Sequence, residues 1–259
     1  MTEPLFLTPP PYLSPSSMGT FHQCPQKFRY NKIDQLPDSP TEATLMGNFV
    51  HEVLEYFYAA PETERTLVLL KDLASTTWAE SNWLEKVVPY VPDPNDLRVF
   101  RWNSWWCLEN IFKIEDSPLV DVTSIEYELN GEIGGVMLKG FIDRMTVDDN
   151  ESITISDYKT GKTPKKQWVS DKFLQLKIYG TLAENLGVGT TDTLELLYLK
   201  DGVKFDHQFT DKDREETTAY VVDTKRKIDI ACETEEFPTK KSILCNWCGY
   251  KNICPAWKA

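Results

Sequence analysis

No stretch of this 259-residue chain approaches the run of about 20 apolar residues that a membrane-spanning helix requires, which argues against an integral membrane protein. Met1-Thr2-Glu3-Pro4 has neither the basic n-region nor the apolar core of a secretory signal, so the expected location is cytoplasmic, with no membrane partner. A basic excess is missing too. Lysine and arginine number 28 against 40 aspartates and glutamates, for a net charge of −12; domains that coat nucleic acid without specificity are usually basic. There is no internal repeat and no low-complexity stretch. A nucleotide-hydrolysis motor is absent as well. Gly161-Lys162-Thr163 matches the end of a phosphate-binding loop, but Ser156 stands where that loop needs its first glycine.

What is present is ordinary globular protein: 41% hydrophobic and 26% charged residues, on a chain long enough to bury a sizeable core as one large domain or two small ones. Residues 1–11 are proline-rich and read as extended. Ser14 followed by Pro15 is an N-cap signal for a short helix ending at Cys24-Pro25. A helix over 44–59 places Leu45, Phe49, Val53 and Phe57 on one face. Residues 60–118 have helical periodicity and five of the eight tryptophans, and read as a packed helical insertion. Strands are expected at 121–130, 135–147 and 152–159. A helix over 166–186 stops at Gly187, a hairpin at 193–200 and 203–209 turns on Asp201-Gly202, and a last helix spans 211–231.

The chemistry concentrates in the second and third strands. Asp148-Asp149-Asn150-Glu151 is a turn signal; a hairpin centred on Asn150 places Asp143 opposite Asp157, with cross-strand Cβ atoms about 5 Å apart. Lys159, two residues beyond Asp157, shares its face. Carboxylates that close need a cation between them, and oxygen ligands beside a lysine favour a hard divalent ion such as Mg²⁺ or Mn²⁺. The arrangement suits phosphodiester cleavage. Positive charge also gathers here: residues 158–177 hold six lysines against one acid, Asp171, and residues 4–33 hold Lys27, Arg29 and Lys32 with no acid. An acidic body with a basic rim can steer a phosphate backbone.

Asp143 followed by Asp157-Tyr158-Lys159-Thr160-Gly161 resembles the signature of the PD-(D/E)XK nucleases in their RecB-like form. Gly47-Asn48-Phe49-Val50-His51 is similar to that family's G-x-x-x-H helix and Gln175-Leu176-Lys177-Ile178-Tyr179 to its Q-x-x-x-Y helix, so the likeness spans roughly residues 12–255. Read alone, His51 is a core histidine or a ligand. The resemblance implies a metal ligand, alongside Asp143, Asp157 and the backbone carbonyl of Tyr158. It implies that Gln175 and Tyr179, one helical turn apart, contact the nucleic-acid backbone or hold Lys159, and it places Lys162 near the nucleic acid. Lys159 would orient the attacking water, assist its deprotonation or stabilise transition-state charge. Glu126 is either an outer carboxylate or plain strand surface.

Cys245-x2-Cys248-x5-Cys254 is dense ligand spacing, and in a cytosolic setting metal binding is favoured over disulfides. A closed site needs a fourth thiolate, for which Cys24, Cys107 and Cys232 are the candidates by count. AddB-type and CRISPR-associated relatives bind a [4Fe–4S] cluster through one N-terminal and three C-terminal cysteines, which implies Cys24. A zinc site on the same four cysteines is the alternative. The expectation is one α/β domain over residues 1–259 with a restriction-endonuclease-like core: a central mixed sheet flanked by helices, a helical insertion at 60–118, and a cysteine tail at 240–259 joined to Cys24 by the metal. The expected function is a metal-dependent DNA exonuclease acting on ends or single strands in repair or recombination, with a helicase as the candidate partner. The alternatives are a CRISPR-adaptation nuclease, or a catalytically silent iron–sulfur subunit of a helicase–nuclease complex.

Overall fold

The computed structural model describes residues 7–257. The helices are α1 (Pro15–Gln23), α2 (Pro25–Phe28), α3 (Glu42–Ala59), α4 (Leu67–Glu80), α5 (Trp83–Val87), α6 (Pro94–Glu109), α7 (Ile111–Ile114), α8 (Leu174–Asn185) and α9 (Asp211–Thr234). The strands β1 (Ser124–Ile133), β2 (Val136–Val147), β3 (Ser152–Lys159), β4 (Thr190–Tyr198) and β5 (Val203–Gln208) form one sheet in the order β1-β2-β3-β4-β5. β2 and β3 pair antiparallel, β3 and β4 parallel, β4 and β5 antiparallel. This is the mixed five-stranded sheet flanked by helices expected of a restriction-endonuclease-like core. No described helix is long and apolar enough to cross a membrane. The extended reading of residues 1–11 falls partly outside the described residues.

The β2–β3 register is the one the turn chemistry dictates. Arg144 pairs with Ser156 and Val147 with Ile153, so the ladder is centred on Asn150. Asp148 fixes the turn, its side chain accepting from the backbone N–H groups of Asn150 and Ser152 at 2.8 and 2.9 Å. The parallel β3–β4 pair needs a crossover, which α8 supplies. Gly187 follows that helix at φ +72°, the left-handed C′ position that glycine takes at low cost.

The described residues gather into two compact units. One comprises the chain up to Ser39, Leu129–Gly140 and the chain from Asp211 onward; the other comprises Pro40–Glu128 and Phe141–Thr210. In the second unit, α3 lays Leu45, Phe49, Val53, Leu54 and Phe57 into a core shared with Leu70 of α4, Trp83 of α5, Phe100 and Leu108 of α6, Tyr158 of β3 and Leu197 of β4. Burying such side chains contributes about 1.5–3 kcal/mol each, so the helical segment 60–118 anchors the helix and strand that carry His51 and Asp157. In the first unit, Ser14 caps α1 in a capping box with Ser17, and Pro15 occupies its first turn. The N-terminal segment is tied to the C-terminal one directly: His22 Nε2 meets Thr224 Oγ1 at 2.7 Å, and the Tyr30 hydroxyl donates to the Ile253 carbonyl at 3.2 Å.

One element departs from expectation. The helix read over 166–186 begins only at Leu174; 166–173 is a pair of short 3₁₀ turns. That stretch buries only Phe173 and has two lysines and an aspartate, so it offers no apolar stripe for tertiary packing to reward.

Candidate active site

The site lies wholly within the second unit. Asp143 and Asp157 reach it from adjacent strands, His51 from α3, and Gln175 and Tyr179 from α8. Asp143 Oδ2 accepts the backbone N–H of Tyr158 at 2.9 Å and lies 3.4 Å from His51 Nδ1. The other ring nitrogen, Nε2, lies 2.9 Å from the Tyr158 carbonyl oxygen. Both nitrogens therefore face oxygen acceptors. Burial pushes the imidazole pKa down, but the Asp143 carboxylate, with Asp157 and the Tyr158 carbonyl, outweighs it and lifts the value to about 9.

Asp157 is 3% exposed. Burial raises its pKa to about 6, against the opposing pull of Lys159 and with added repulsion from Asp143. Lys159 Nζ stands 2.6 Å from Asp157 Oδ2. That is ion-pair distance without hydrogen-bond geometry, and Oδ2 remains a buried oxygen with no hydrogen-bond partner. Lys159 Nζ also reaches Gln175 Oε1 at 3.4 Å, and Gln175 Nε2 reaches the Tyr179 hydroxyl at 3.4 Å. Burial pushes the Tyr179 phenol up to about 12, so it stays protonated. The line Tyr179–Gln175–Lys159–Asp157 thus aims the lysine. Lys162 is not drawn in; it is exposed in the loop after β3, near Asp201.

The residue that sequence reasoning undervalued is Glu126. Its donor oxygen joins those of His51 and Asp143 in a trio lying within 4.8 Å of one another. Asp157, engaged with Lys159, stands outside that trio. Glu126 sits in β1 at φ +46°, a backbone state costing about 1–3 kcal/mol for a non-glycine residue. Burial, then the Asp143 charge, raises its pKa to about 7. Glu126 lines the open pocket that His51, Glu55 and Asp143 also line. Gly47 lines it too, but a Cβ there would meet Thr160 Oγ1 at 3.5 Å, so its close approach does not exclude alanine.

The donor set fits a divalent cation: one imidazole, carboxylate oxygens, a backbone carbonyl, and a buried carboxylate oxygen lacking a hydrogen bond. Behind it, Arg144 is 1% exposed. It donates to Glu115 Oε2 at 2.9 Å and Ser156 Oγ at 3.2 Å, with its guanidinium 4.7 Å from the Tyr58 ring centroid. A charged residue alternating with Asp143 along β2 reads as surface in the sequence; the network that holds it was invisible there.

In the first unit, Cys24, Cys245, Cys248 and Cys254 line one cavity. Burial, then Cys254, raises the Tyr30 phenol that borders it, and Cys24 adds to the rise. Among the described residues no three of these sulfurs lie within 4.8 Å of one another. Cys107 and Cys232 are buried elsewhere, and burial raises both thiols to about 11.

Comparison with known proteins bears on this geometry. The sequence model of the PD-(D/E)XK nuclease superfamily matches residues 12–255. Gene 69 protein of Mycobacterium phage L5 is 23% identical over 292 aligned residues, covering 96% of this chain and 97% of that protein. A crystal structure from Eubacterium rectale, named as a candidate exonuclease, is similar at a TM-score of 0.49 and 14% identity, over 95% of this chain and 87% of its own.

Proposed function

This chain belongs to the PD-(D/E)XK nuclease superfamily, and from that premise we propose that it is a Mg²⁺- or Mn²⁺-dependent deoxyribonuclease of the RecB-like kind. It works as an exonuclease on DNA ends or single strands in repair or recombination, alongside a helicase. The observation that carries this reading is the meeting of His51, Asp143 and the Tyr158 carbonyl on one side of Asp157 and Lys159. His51, Asp143, Asp157 and the Tyr158 carbonyl hold the cation, with Glu126 as a further carboxylate. When bound, the cation supplies Lewis-acid polarisation of the scissile phosphate and acidifies water.

The residues do the rest. Asp157 directs Lys159, and Gln175 and Tyr179 limit where its ammonium can move. Lys159 thereby presents a fixed positive charge where the phosphate becomes more negative in the transition state, the kind of preorganised stabilisation that dominates many catalysed steps. Exposed lysines in the loop after β3, Lys162 among them, draw the DNA backbone in.

The four cysteines of the first unit are read as ligands of a structural [4Fe–4S] cluster. Tetrahedral zinc on the same four thiolates is the alternative.

Incubation of end-labelled linear and circular DNA, single- and double-stranded, with Mg²⁺ or Mn²⁺ tests the proposal. Linear DNA should be shortened from its ends while circles survive. Cleavage persisting in EDTA, or none of any substrate with either metal, would contradict it.

A further inference from the structure

Helices α4 and α6, in the unit that holds the active site, border an open groove of 480 Å³. Along α6, Arg98, Arg101, Trp102 and Trp105 recur at i, i+3, i+4 and i+7, one helical face. Along α4, Lys71 and Trp78 bracket Ala74 and Ser75 at the same spacing, and the two small residues leave the groove open. Trp102 is 64% exposed, and the Arg101 guanidinium sits 5.0 Å from the Trp78 ring centroid. No carboxylate lines the groove, and Lys71, Arg98 and Arg101 form no ion pair among the described residues. Uncompensated cations interleaved with the exposed Trp102 and the half-buried Trp105 are unusual on a chain of net charge −12. The amphipathic helix of a protein partner would call for a continuous apolar strip, which the cations interrupt. A single strand of nucleic acid needs both features: ring faces for its bases and cations for its phosphates.

The groove and the catalytic pocket are served by different faces of the same helix, α3. Phe49 of α3 lines the groove and packs edge-on against Trp78, centroids 5.3 Å apart, while His51 two residues later lines the metal-capable pocket. We propose that the α4–α6 groove binds a segment of single-stranded nucleic acid, with bases stacking on Trp102 and Trp105 and phosphates meeting Lys71, Arg98 and Arg101. The choice of ligand rests on the chain being a nuclease; the binding itself needs no catalysis.

Fluorescence anisotropy of the full-length protein in EDTA, with labelled oligothymidylate, oligouridylate and a DNA duplex, measures the affinity. Trp102→Ala should weaken binding of one or both single strands by about 5- to 150-fold, the range of one lost base stack, and Trp102→Phe should restore most of it. Arg101→Gln should make the salt dependence shallower by about 0.7 in log–log slope. Duplex affinity should change little. Unaltered single-strand affinity in Trp102→Ala, or an equal loss for duplex, would overturn the assignment. Hydrolysis of a p-nitrophenyl phosphodiester of thymidine, too small to span the groove, separates the two claims. Groove variants should hydrolyse it at the wild-type rate. A wild-type protein that binds single strands through Trp102 but cleaves neither DNA nor this ester would sink the nuclease reading and leave the groove standing.

Discussion

His51 explains why the metal-free site holds together. Asp143 and Glu126 lie beside it, and its imidazolium offsets their charge as the Lys159 ammonium offsets that of Asp157. Each perturbed group there has its pKa raised on folding: His51 from 6.5 to about 9, Glu126 from 4.5 to about 7, and Asp157 from 3.8 to about 6. A raised native pKa means that the folded state binds more protons than the unfolded one between the two values, so stability falls with rising pH across that window. The metal-free protein should therefore lose melting temperature from about pH 4 to pH 9, the upper part of the loss disappearing in His51→Ala. Metal must displace the His51 proton, so its affinity should rise about tenfold per pH unit between about pH 7 and pH 9, more steeply at lower pH where Glu126 and Asp157 must also lose protons, and then level off. Calorimetric titrations of Mn²⁺ in buffers of different ionisation enthalpy count the protons released; no release at pH 7 would refute this account of His51. Arg144 makes a second prediction at this scale. Removing one side of its buried pair with Glu115, as in Arg144→Ala, leaves a charge uncompensated and should cost about 3–5 kcal/mol in urea melts.

At the scale of elements, α3 joins the core to the site, since its apolar face fills the core and its other face delivers His51. Leu54 is fully buried, so Leu54→Ala should destabilise by about 2–5 kcal/mol while leaving metal affinity of the folded fraction near wild type, measured by denaturant melts and Mn²⁺ titration. The strands and their register were legible because they rest on local signals: alternation along β2 and β3 and a turn cluster at 148–151. The reach of Lys159 back to Asp157 followed from strand periodicity alone. Which of its two readings Glu126 takes was not legible, because nothing in the residues around it announces a left-handed backbone inside a strand. Nor was the start of the β4–β5 turn. The Asn110 side chain donates to the carbonyls of Leu199 and Lys200 at 2.8 and 3.1 Å, and a partner about ninety residues away has no sequence signature. The late start of α8 was missed because helical propensity in a lysine-rich stretch resembles a helix until one asks what it would bury.

For the molecule as a whole, charge and the cysteines set the behaviour. A net charge of −12 repels a polyanion at long range, so DNA binding should depend on the few basic surfaces and fall steeply with salt. The four cysteines proposed as ligands come from opposite ends of the sequence, and a metal holding them would close a loop of roughly 220 residues, worth about 5 kcal/mol by loop entropy. Anaerobically purified protein should be brown. Serine at Cys24, Cys245, Cys248 or Cys254 should bleach it and lower its melting temperature, because a structural metal's binding energy is folding energy. Serine at Cys107 or Cys232 should leave the colour unchanged. Colourless protein with stoichiometric zinc would identify the other metal, and undiminished iron in Cys24→Ser would place the fourth ligand elsewhere.

The central claim is that Lys159 acts on the phosphate and not on the metal. It is tested by measuring Mn²⁺ affinity and single-turnover cleavage of end-labelled single-stranded DNA on the same folded preparations of wild type, Lys159→Ala and Asp157→Ala. Lys159→Ala should bind Mn²⁺ with near wild-type affinity yet cleave at least about a hundredfold more slowly, as loss of one electrostatic stabiliser predicts, whereas Asp157→Ala should lose both metal and cleavage. Wild-type cleavage by Lys159→Ala, or full activity in Asp157→Ala, would contradict it.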